Sequence, residues 1–63
     1  MSERYWRVRD RALEEAAEQC ESSLRFHRQM QRDASTPDQR EIHYRMAQEA
    51  ERLVWDIRSR KVA

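Results

Sequence analysis

The chain has 63 residues, a net charge of +1 at pH 7, one cysteine and no glycine. One cysteine excludes an intramolecular disulfide, and the lack of glycine excludes a glycine-rich phosphate loop or the strained turn that presents a nucleophilic serine. Charged residues make up 40% of the chain, and a composition rich in Ala, Glu, Arg and Gln predicts long helices rather than a sheet.

Size limits how stable one copy of the chain can be. A single domain over residues 1–63 buries only ~60% of its unfolded surface. Neither a disulfide nor zinc-finger spacing of cysteine and histidine adds stability. We therefore expect self-association, or binding to a partner, to supply the remaining stability.

Residue usage also bears on the environment of the protein. A lone thiol, Cys20, fits a reducing compartment. No apolar run approaches the ~20 residues that span a bilayer, and none has the form of a signal peptide. We expect a cytoplasmic protein with no membrane partner. Twelve arginines against one lysine favour, on codon usage alone, a bacterial or phage protein.

The first predicted helix covers about residues 3–34. Ser2 can cap its N-terminus, and Glu3 places negative charge in its first turn. An apolar stripe with a period near 3.5 residues, as in coiled coils, follows one side of the helix, and Tyr5 and Ala12 widen it. The members of the stripe are Trp6, Leu13, Ala16, Ala17, Cys20, Leu24 and His27.

The stretch DASTPDQREI, residues 33–42, predicts the end of one helix and the start of another. Thr36 can cap the second helix, Pro37 suits its first position, and Gln39 can complete a capping box. A turn at residues 35–36 and a second helix over about residues 37–60 follow. Its apolar side carries Ile42, Met46, Ala47, Ala50, Leu53, Val54 and Ile57.

So short a connection predicts that the two helices fold back on each other. The expected fold is all-α, an antiparallel two-helix hairpin in which facing residues have numbers that sum to about 71. This register places the acidic side chains of residues 14–21 beside residues 50–57, which include Arg52, and near Arg58. The charges therefore agree with the hairpin.

The same register leaves the start of the longer first helix beyond the end of the second. Tyr5 and Trp6 would overhang, and exposed aromatic rings favour another surface. We expect a homodimer with a four-helix bundle core, whose interface residues are Tyr5, Trp6, Leu13 and Cys20. The alternative is that the two rings pack on residues 62 and 63 of the same chain.

His27 and His43 are expected to approach each other across the hairpin. They are weak candidates for a metal site, because such a site needs three or four ligands. Cys20 lies about 10.5 Å from His27 along the helix, too far to share one ion. We interpret both residues as structural histidines and predict neither a metal nor a cofactor.

Arginines at helical spacing offer a surface for nucleic acid. Its members are Arg7, Arg25, Arg28 and Arg32. Glu14, Glu18 and Glu21 interrupt this surface, and a net charge of +1 is weak for binding phosphates. A solvated, ion-paired helix side is the favoured interpretation, and a dimeric RNA- or DNA-binding bundle is the alternative function.

Aromatic residues off the apolar stripe predict a protein-binding surface on the second helix. Tyr44 and Trp55 lie at nearly the same helical angle, which Val62 shares, and aromatic residues and arginine dominate the energy of protein interfaces. The expected polar rim is Arg45, Arg52 and Arg58. The alternative is that these rings fill the dimer interface.

Together these patterns favour a small non-enzymatic protein-binding regulator, an adaptor or inhibitor that acts through the surface of a helical hairpin. No catalytic residue is predicted, because two helices alone form no concave pocket in which to shift a pKa. A third interpretation is a purely structural hairpin from a larger assembly.

Overall fold

The computed structural model describes residues 2–61, which form two α-helices. Helix α1 spans Glu3–Asp33 and helix α2 spans Pro37–Ser59. The helices pack against each other as a hairpin that measures 52 × 13 × 10 Å across its Cα atoms. The predicted all-α hairpin is therefore confirmed. Neither described helix combines the length and apolar character that crossing a membrane requires.

Local hydrogen bonds explain where α1 begins and ends. The side chain of Ser2 accepts a hydrogen bond from the backbone N–H of Tyr5 at 3.2 Å, so it caps the helix as expected. Ala34 leaves the helix in an extended conformation, and its N–H donates to the carbonyl of Gln31 at 3.4 Å. The helix therefore ends one residue before the predicted position, within the ordinary fraying of a helix end.

The start of α2 follows the predicted cap with one difference. The hydroxyl of Thr36 accepts from the backbone N–H of Gln39 at 3.1 Å, and Pro37 occupies the first helical position. The side chain of Gln39 accepts from the hydroxyl of Ser35 at 3.2 Å instead of turning back to the N–H of Thr36. The expected capping box is thus only half formed, because Ser35 and not Thr36 is the hydrogen-bond partner of the Gln39 side chain.

Contacts across the hairpin confirm the expected register. The Nδ1 atoms of His27 and His43 lie 2.9 Å apart, and Arg58 donates to Glu14 at 2.8 Å. Near the end of the hairpin opposite the turn, called here the open end, Arg9 donates to the carbonyl of Arg60 at 2.8 Å. In each pair the residue numbers sum to about 71, as a two-residue turn requires. The helices are therefore antiparallel along most of α1.

The helices touch through very small side chains. Among the described residues, Ala17 and Ala47 are fully buried and Ala50 is nearly so, while no large side chain is fully buried. The buried charge of Asp10 lies 3.9 Å from the guanidinium of Arg9. Since the hydrophobic contribution scales with the apolar area removed from water, alanine methyl groups make a weak core. A single copy of the hairpin therefore gains little stability from its core.

Most large apolar side chains lie outside this line of contact. They are Tyr5, Val8, Phe26, Met30, Ile42, Tyr44, Met46, Leu53 and Trp55. The reason is geometric: the apolar stripe of each helix is wider than the strip that one neighbouring helix can cover. The hairpin therefore exposes two sides that carry apolar groups.

The start of α1 extends past the last turn of α2, as the register predicts. The rings of Tyr5 and Trp6 pack edge to face with centroids 5.2 Å apart, and the guanidinium of Arg9 lies 5.6 Å from the Trp6 ring. Trp6 is half-buried and Tyr5 is exposed. Val62 and Ala63, the alternative packing partners of these rings, lie outside the described residues.

Candidate functional site

One side of the hairpin holds a groove beside Trp55. Val54 is half-buried next to α1, and the following residue is turned by about 100°, so the Trp55 side chain is 74% exposed at the edge of the groove. The groove has a volume of about 400 Å³. We call it the Trp55 groove. Its lining residues are Glu21, Leu24, Glu51, Val54, Trp55, Arg58 and Ser59.

An ion-pair cluster closes the end of the Trp55 groove that faces the chain termini. Arg58 donates to Glu14 at 2.8 and 3.2 Å and to Glu21 at 2.6 Å. The ammonium of Lys61 donates at 2.9 Å to Oε2 of Glu14, the oxygen that also accepts from Nε of Arg58. Two carboxylates and two cations thus meet across the helices, and their formal charges cancel.

These contacts shift the proton affinities of the cluster. Hydrogen bonds from Arg58 and then from Lys61 lower the pKa of Glu14 from 4.5 to about 2. The carboxylates of Glu14 and Glu21 in turn raise the pKa of Arg58 above its ordinary value. Because opposite charges favour the ionised form of both partners, Glu14 and Arg58 stay charged across the neutral pH range.

A second ion pair crosses the helices on the same side. Arg28 of α1 donates to Glu51 of α2 at 3.3 Å, and Glu51 lines the Trp55 groove. Both carboxylates that line the groove, Glu21 and Glu51, therefore have an arginine partner. The groove combines an apolar floor from Leu24 and Val54 with a rim whose charges are balanced.

Tyr44 extends this side of the hairpin toward the turn. It lies eleven residues before Trp55, or about 16 Å along the helix, and its hydroxyl accepts from the amide of Gln48 at 2.7 Å. A separate hollow surrounds it, lined by Gln31, Pro37, Arg40 and Glu41. Tyr44 and Trp55 therefore share a side of α2 but not a groove.

Two of the predicted rim arginines do not reach the groove. Arg45 pairs with Glu41 at 2.9 Å, and Arg52 bonds to Glu49 and to Asp56, the latter at 3.2 Å. These carboxylates are on the same helix, on the outer side of α2. Of the five residues predicted to bind protein, the structure thus brings Trp55 and Arg58 together.

Sequence reasoning missed the α1 side of the groove. Leu24 was expected in the core, and the register placed Glu14 and Glu21 near Arg58, but none of the three was expected to border a groove. Their spacing of seven residues was the available signal, because residues seven apart lie on one side of a helix. Combined with the hairpin register, this spacing indicates that both carboxylates can bind the same arginine.

The two histidines meet, as predicted. Their Nδ1 atoms are 2.9 Å apart and their rings stack with centroids 5.1 Å apart. One Nδ1 must donate and the other accept, so only one of the two Nδ1 atoms carries a proton in this contact. Two nitrogens supply half of a tetrahedral ligand set, and the described residues contain no group of three or more His, Cys, Asp or Glu side chains placed to hold a metal ion.

The opposite side of the hairpin is apolar. We define the apolar face by Ala16, Cys20 and Ser23 of α1 together with Ile42, Met46 and Leu53 of α2. A shallow groove of about 240 Å³ runs along its middle, and Cys20, Ser23, Met46 and Leu53 are among the residues that line it. Since Leu53 and Trp55 are two residues apart, they point about 200° away from each other. The apolar face and the Trp55 groove thus lie on opposite sides of one thin molecule.

The residues predicted for the dimer interface divide between two environments. Cys20 lines the apolar face and Tyr5 lies on the same side of α1, exposed. Trp6 and Leu13 are half-buried, four residues before the buried Asp10 and Ala17 respectively, so they belong to the side of α1 that faces α2. Only Tyr5 and Cys20 are therefore positioned to meet a second copy through this face.

The arginines of the nucleic-acid alternative are partly engaged on their own hairpin. Arg7 pairs with Glu3 at 3.6 Å, and Arg28 pairs with Glu51. Arg25 and Arg32 donate instead to the neutral side chains of Ser22 and Gln29. Half of this set is thus already matched by carboxylates.

Comparison with protein-family models, with curated proteins and with solved structures finds no match for the chain. The surfaces are therefore interpreted from their geometry and chemistry.

Proposed function

We propose that this chain is a small non-enzymatic protein-binding regulator, an adaptor or inhibitor that acts as a homodimer and presents the Trp55 groove to a partner protein. The observation that carries the proposal is the position of Trp55: its ring is 74% exposed beside an apolar groove. Tryptophan beside a desolvated pocket is the residue type that most often dominates binding energy.

The electrostatics of the groove support binding rather than catalysis. Glu14, Glu21 and Arg58 are tied to one another, and the pKa of Glu14 is lowered to about 2. A general acid or base works best with a pKa near the working pH, and this shift moves the carboxylate away from it. The cluster instead offers a fixed polar rim around an apolar floor.

The partner is expected to contribute an apolar anchor. The floor formed by Leu24 and Val54 is apolar and open, and an amphipathic helix can lay its apolar side into such a groove. Balanced charges at the rim exclude neither acidic nor basic partners, so side-chain fit selects the partner more than charge does. Tyr44, farther along the same side, would contact the next turns of such a helix.

The experiment is capture of proteins from the host's lysate with tagged wild-type protein, Trp55→Ala and Phe26→Ala. Phe26 is the matched control, because it is also an exposed aromatic, at 56%, but lies outside the groove. We expect one protein to be enriched by the wild type and by Phe26→Ala and to be lost with Trp55→Ala. Far-UV circular dichroism should show equal helicity in all three.

Each other outcome has a defined meaning. Capture that survives Trp55→Ala would contradict the proposal, and loss of helicity in that variant would make Trp55 part of the fold. Nuclease treatment of the lysate adds a further arm. Enrichment that disappears with nuclease would favour the alternative function through Arg7, Arg25, Arg28 and Arg32.

A further inference from the structure

We infer that the apolar face is a self-association surface, on which a second copy of the chain packs in the opposite direction, with the two-fold axis passing beside Cys20. The inference deepens the homodimer in the proposed function, on which it rests. It assigns the two sides of the hairpin to different tasks: the apolar face to a second copy and the Trp55 groove to the partner protein.

The first argument is the size and character of the exposed area. Ile42 is 53% exposed and Leu53 is 37% exposed, with Met46 between them, and all three lie on one side of α2. The hairpin is 52 Å long and 13 Å wide across its Cα atoms. One whole side of a hairpin of these dimensions, with the apolar face at its middle, matches the order of ~800 Å² that each partner buries in a stable protein interface.

The second argument is that one copy is too thin to be the complete folding unit. Its fully buried side chains are alanines within the described range, and a chain of this size gains little from so small a core. Burying Ile42, Met46 and Leu53 against a second copy would add large side chains to the interior, and the hydrophobic gain grows with the apolar area removed from water. The second copy completes a four-helix core.

The third argument is charge, which selects the orientation of the second copy. On this side of α2, Asp38 lies four residues before Ile42 near the turn, and Arg60 lies seven residues after Leu53 near the open end. Packing with the turns at the same end would bring Arg60 toward Arg9 of the second copy, and Asp38 toward its Asp33. Packing with the turns at opposite ends brings Arg60 toward Asp38. Only the second orientation pairs opposite charges.

Side-chain size then fixes the register along α2. We consider α2 packed antiparallel on α2 of the second copy. A register that places Leu53 opposite Met46 also places Ile42 opposite Ile57. The same register brings Arg60 beside Asp38, so the apolar and charged pairings agree. Glu49 falls near the axis, where its charge is matched by its own ion pair with Arg52.

On α1 the same axis crosses between Cys20 and Ser23, given the register of the hairpin. The surrounding side chains are small, Ala16, Cys20 and Ser23, which allows the two copies of α1 to approach closely. The two Cys20 residues would be offset by about 4.5 Å along the bundle, the rise of three residues. Both thiols should therefore lie within reach of a short cross-linker.

The decisive experiment is cross-linking of dilute wild-type protein with a short bis-maleimide. We expect most of the protein to become a covalent dimer through Cys20. Two variants serve as matched controls in which the single thiol is moved: Cys20→Ser with Ser22→Cys, which places it on the outer side of α1, and Cys20→Ser with Ser35→Cys, which places it in the turn. Both controls should lose the cross-link.

The controls decide between arrangements. Cross-linking through residue 35 would mean that the turns meet, and the antiparallel orientation would be wrong. Cross-linking through residue 22 would place the interface on another side of the hairpin. Monomer in all three proteins would overturn the inference altogether, while leaving capture through Trp55 as a separate result.

A second measurement uses the wild-type cysteine and a charge introduced on either side of α2. Leu53→Glu places a carboxylate in the proposed interface, and Trp55→Glu places the same charge on the opposite side. We expect sedimentation equilibrium to show a dissociation constant raised about 100-fold by Leu53→Glu, or about tenfold for each copy of the substitution. Trp55→Glu should leave it unchanged, and dissociation caused by Trp55→Glu would contradict the assignment of sides.

Discussion

Val54 and Trp55 are neighbours in sequence, yet the first is half-buried beside α1 and the second is largely exposed. The sequence placed Trp55 off the apolar stripe, so its exposure was predictable. It did not show that Leu24 and Val54 would form a groove with it. A stripe defines a side of a helix, and which members lie at the centre of contact depends on how both helices rotate about their axes.

The partners of the arginines were only partly predictable for a similar reason. The register placed acidic residues of α1 near both Arg52 and Arg58. Arg58 meets Glu14 and Glu21, whereas Arg52 turns away to carboxylates of its own helix. Residues six apart on a helix point about 120° away from each other, so Arg52 and Arg58 could not both face α1.

Glu14 gives a prediction at this scale. The pKa of Glu14 in the folded protein is about 2, below its ordinary value of 4.5, so the ionised form is the stabilised one. This contribution is fully present above about pH 5 and is lost as the pH falls through the range between the two values. Glu14→Gln removes it, so the difference in urea midpoint between wild type and variant should shrink on acidification.

The matched control for that titration is Glu15→Gln, a substitution of the adjacent exposed carboxylate, which lies outside the cluster. Its difference from wild type should stay small and nearly constant over the same pH range. If Glu14→Gln also shows a constant difference, the ion pairs with Arg58 and Lys61 do not stabilise the fold.

At the scale of elements, the starts of both helices were predictable because each is determined by residues next to it in sequence. Ser2 and Thr36 accept the hydrogen bonds expected of N-caps, and Pro37 fixes the first position of α2. The register followed from the length of the turn. The orientation of each helix about its axis did not, because it depends on which members of each apolar stripe become buried, here Ala17, Ala47 and Ala50.

The cap of α2 can be tested directly. Thr36→Ala removes the acceptor for the N–H of Gln39, and loss of an N-cap costs ~1 kcal/mol. We expect a lower free energy of unfolding by about that amount in urea denaturation. Thr36→Ser keeps the hydroxyl and should restore most of the loss. Equal stability of the alanine and serine variants would mean that Pro37 and Ser35 suffice to start the helix.

At the scale of the whole molecule, the proposed homodimer predicts that a hairpin whose fully buried side chains are alanines gains stability from a second copy. Unfolding of a dimer is linked to concentration, and a tenfold increase adds about 1.4 kcal/mol to the stability of the dimer. We expect the thermal midpoint of the wild type to rise by a few degrees for each tenfold increase. Calorimetry across a concentration series measures this directly.

The variant Leu53→Glu supplies the comparison for that series. If it is a folded monomer, its midpoint should be lower and independent of concentration. A wild-type midpoint that does not move with concentration would show that one hairpin folds alone, and the exposed Ile42, Met46 and Leu53 would then need a different explanation.

The alanine contact line has a further consequence. Ala17 and Ala47 are fully buried, so the space around each methyl group is filled, and a larger side chain at either position would change the spacing of the helices. The histidine contact at 2.9 Å and the reach of Arg58 to Glu14 both depend on that spacing. We therefore expect that replacing Ala17 or Ala47 with a larger residue would weaken these polar contacts, although none of the residues that form them is changed.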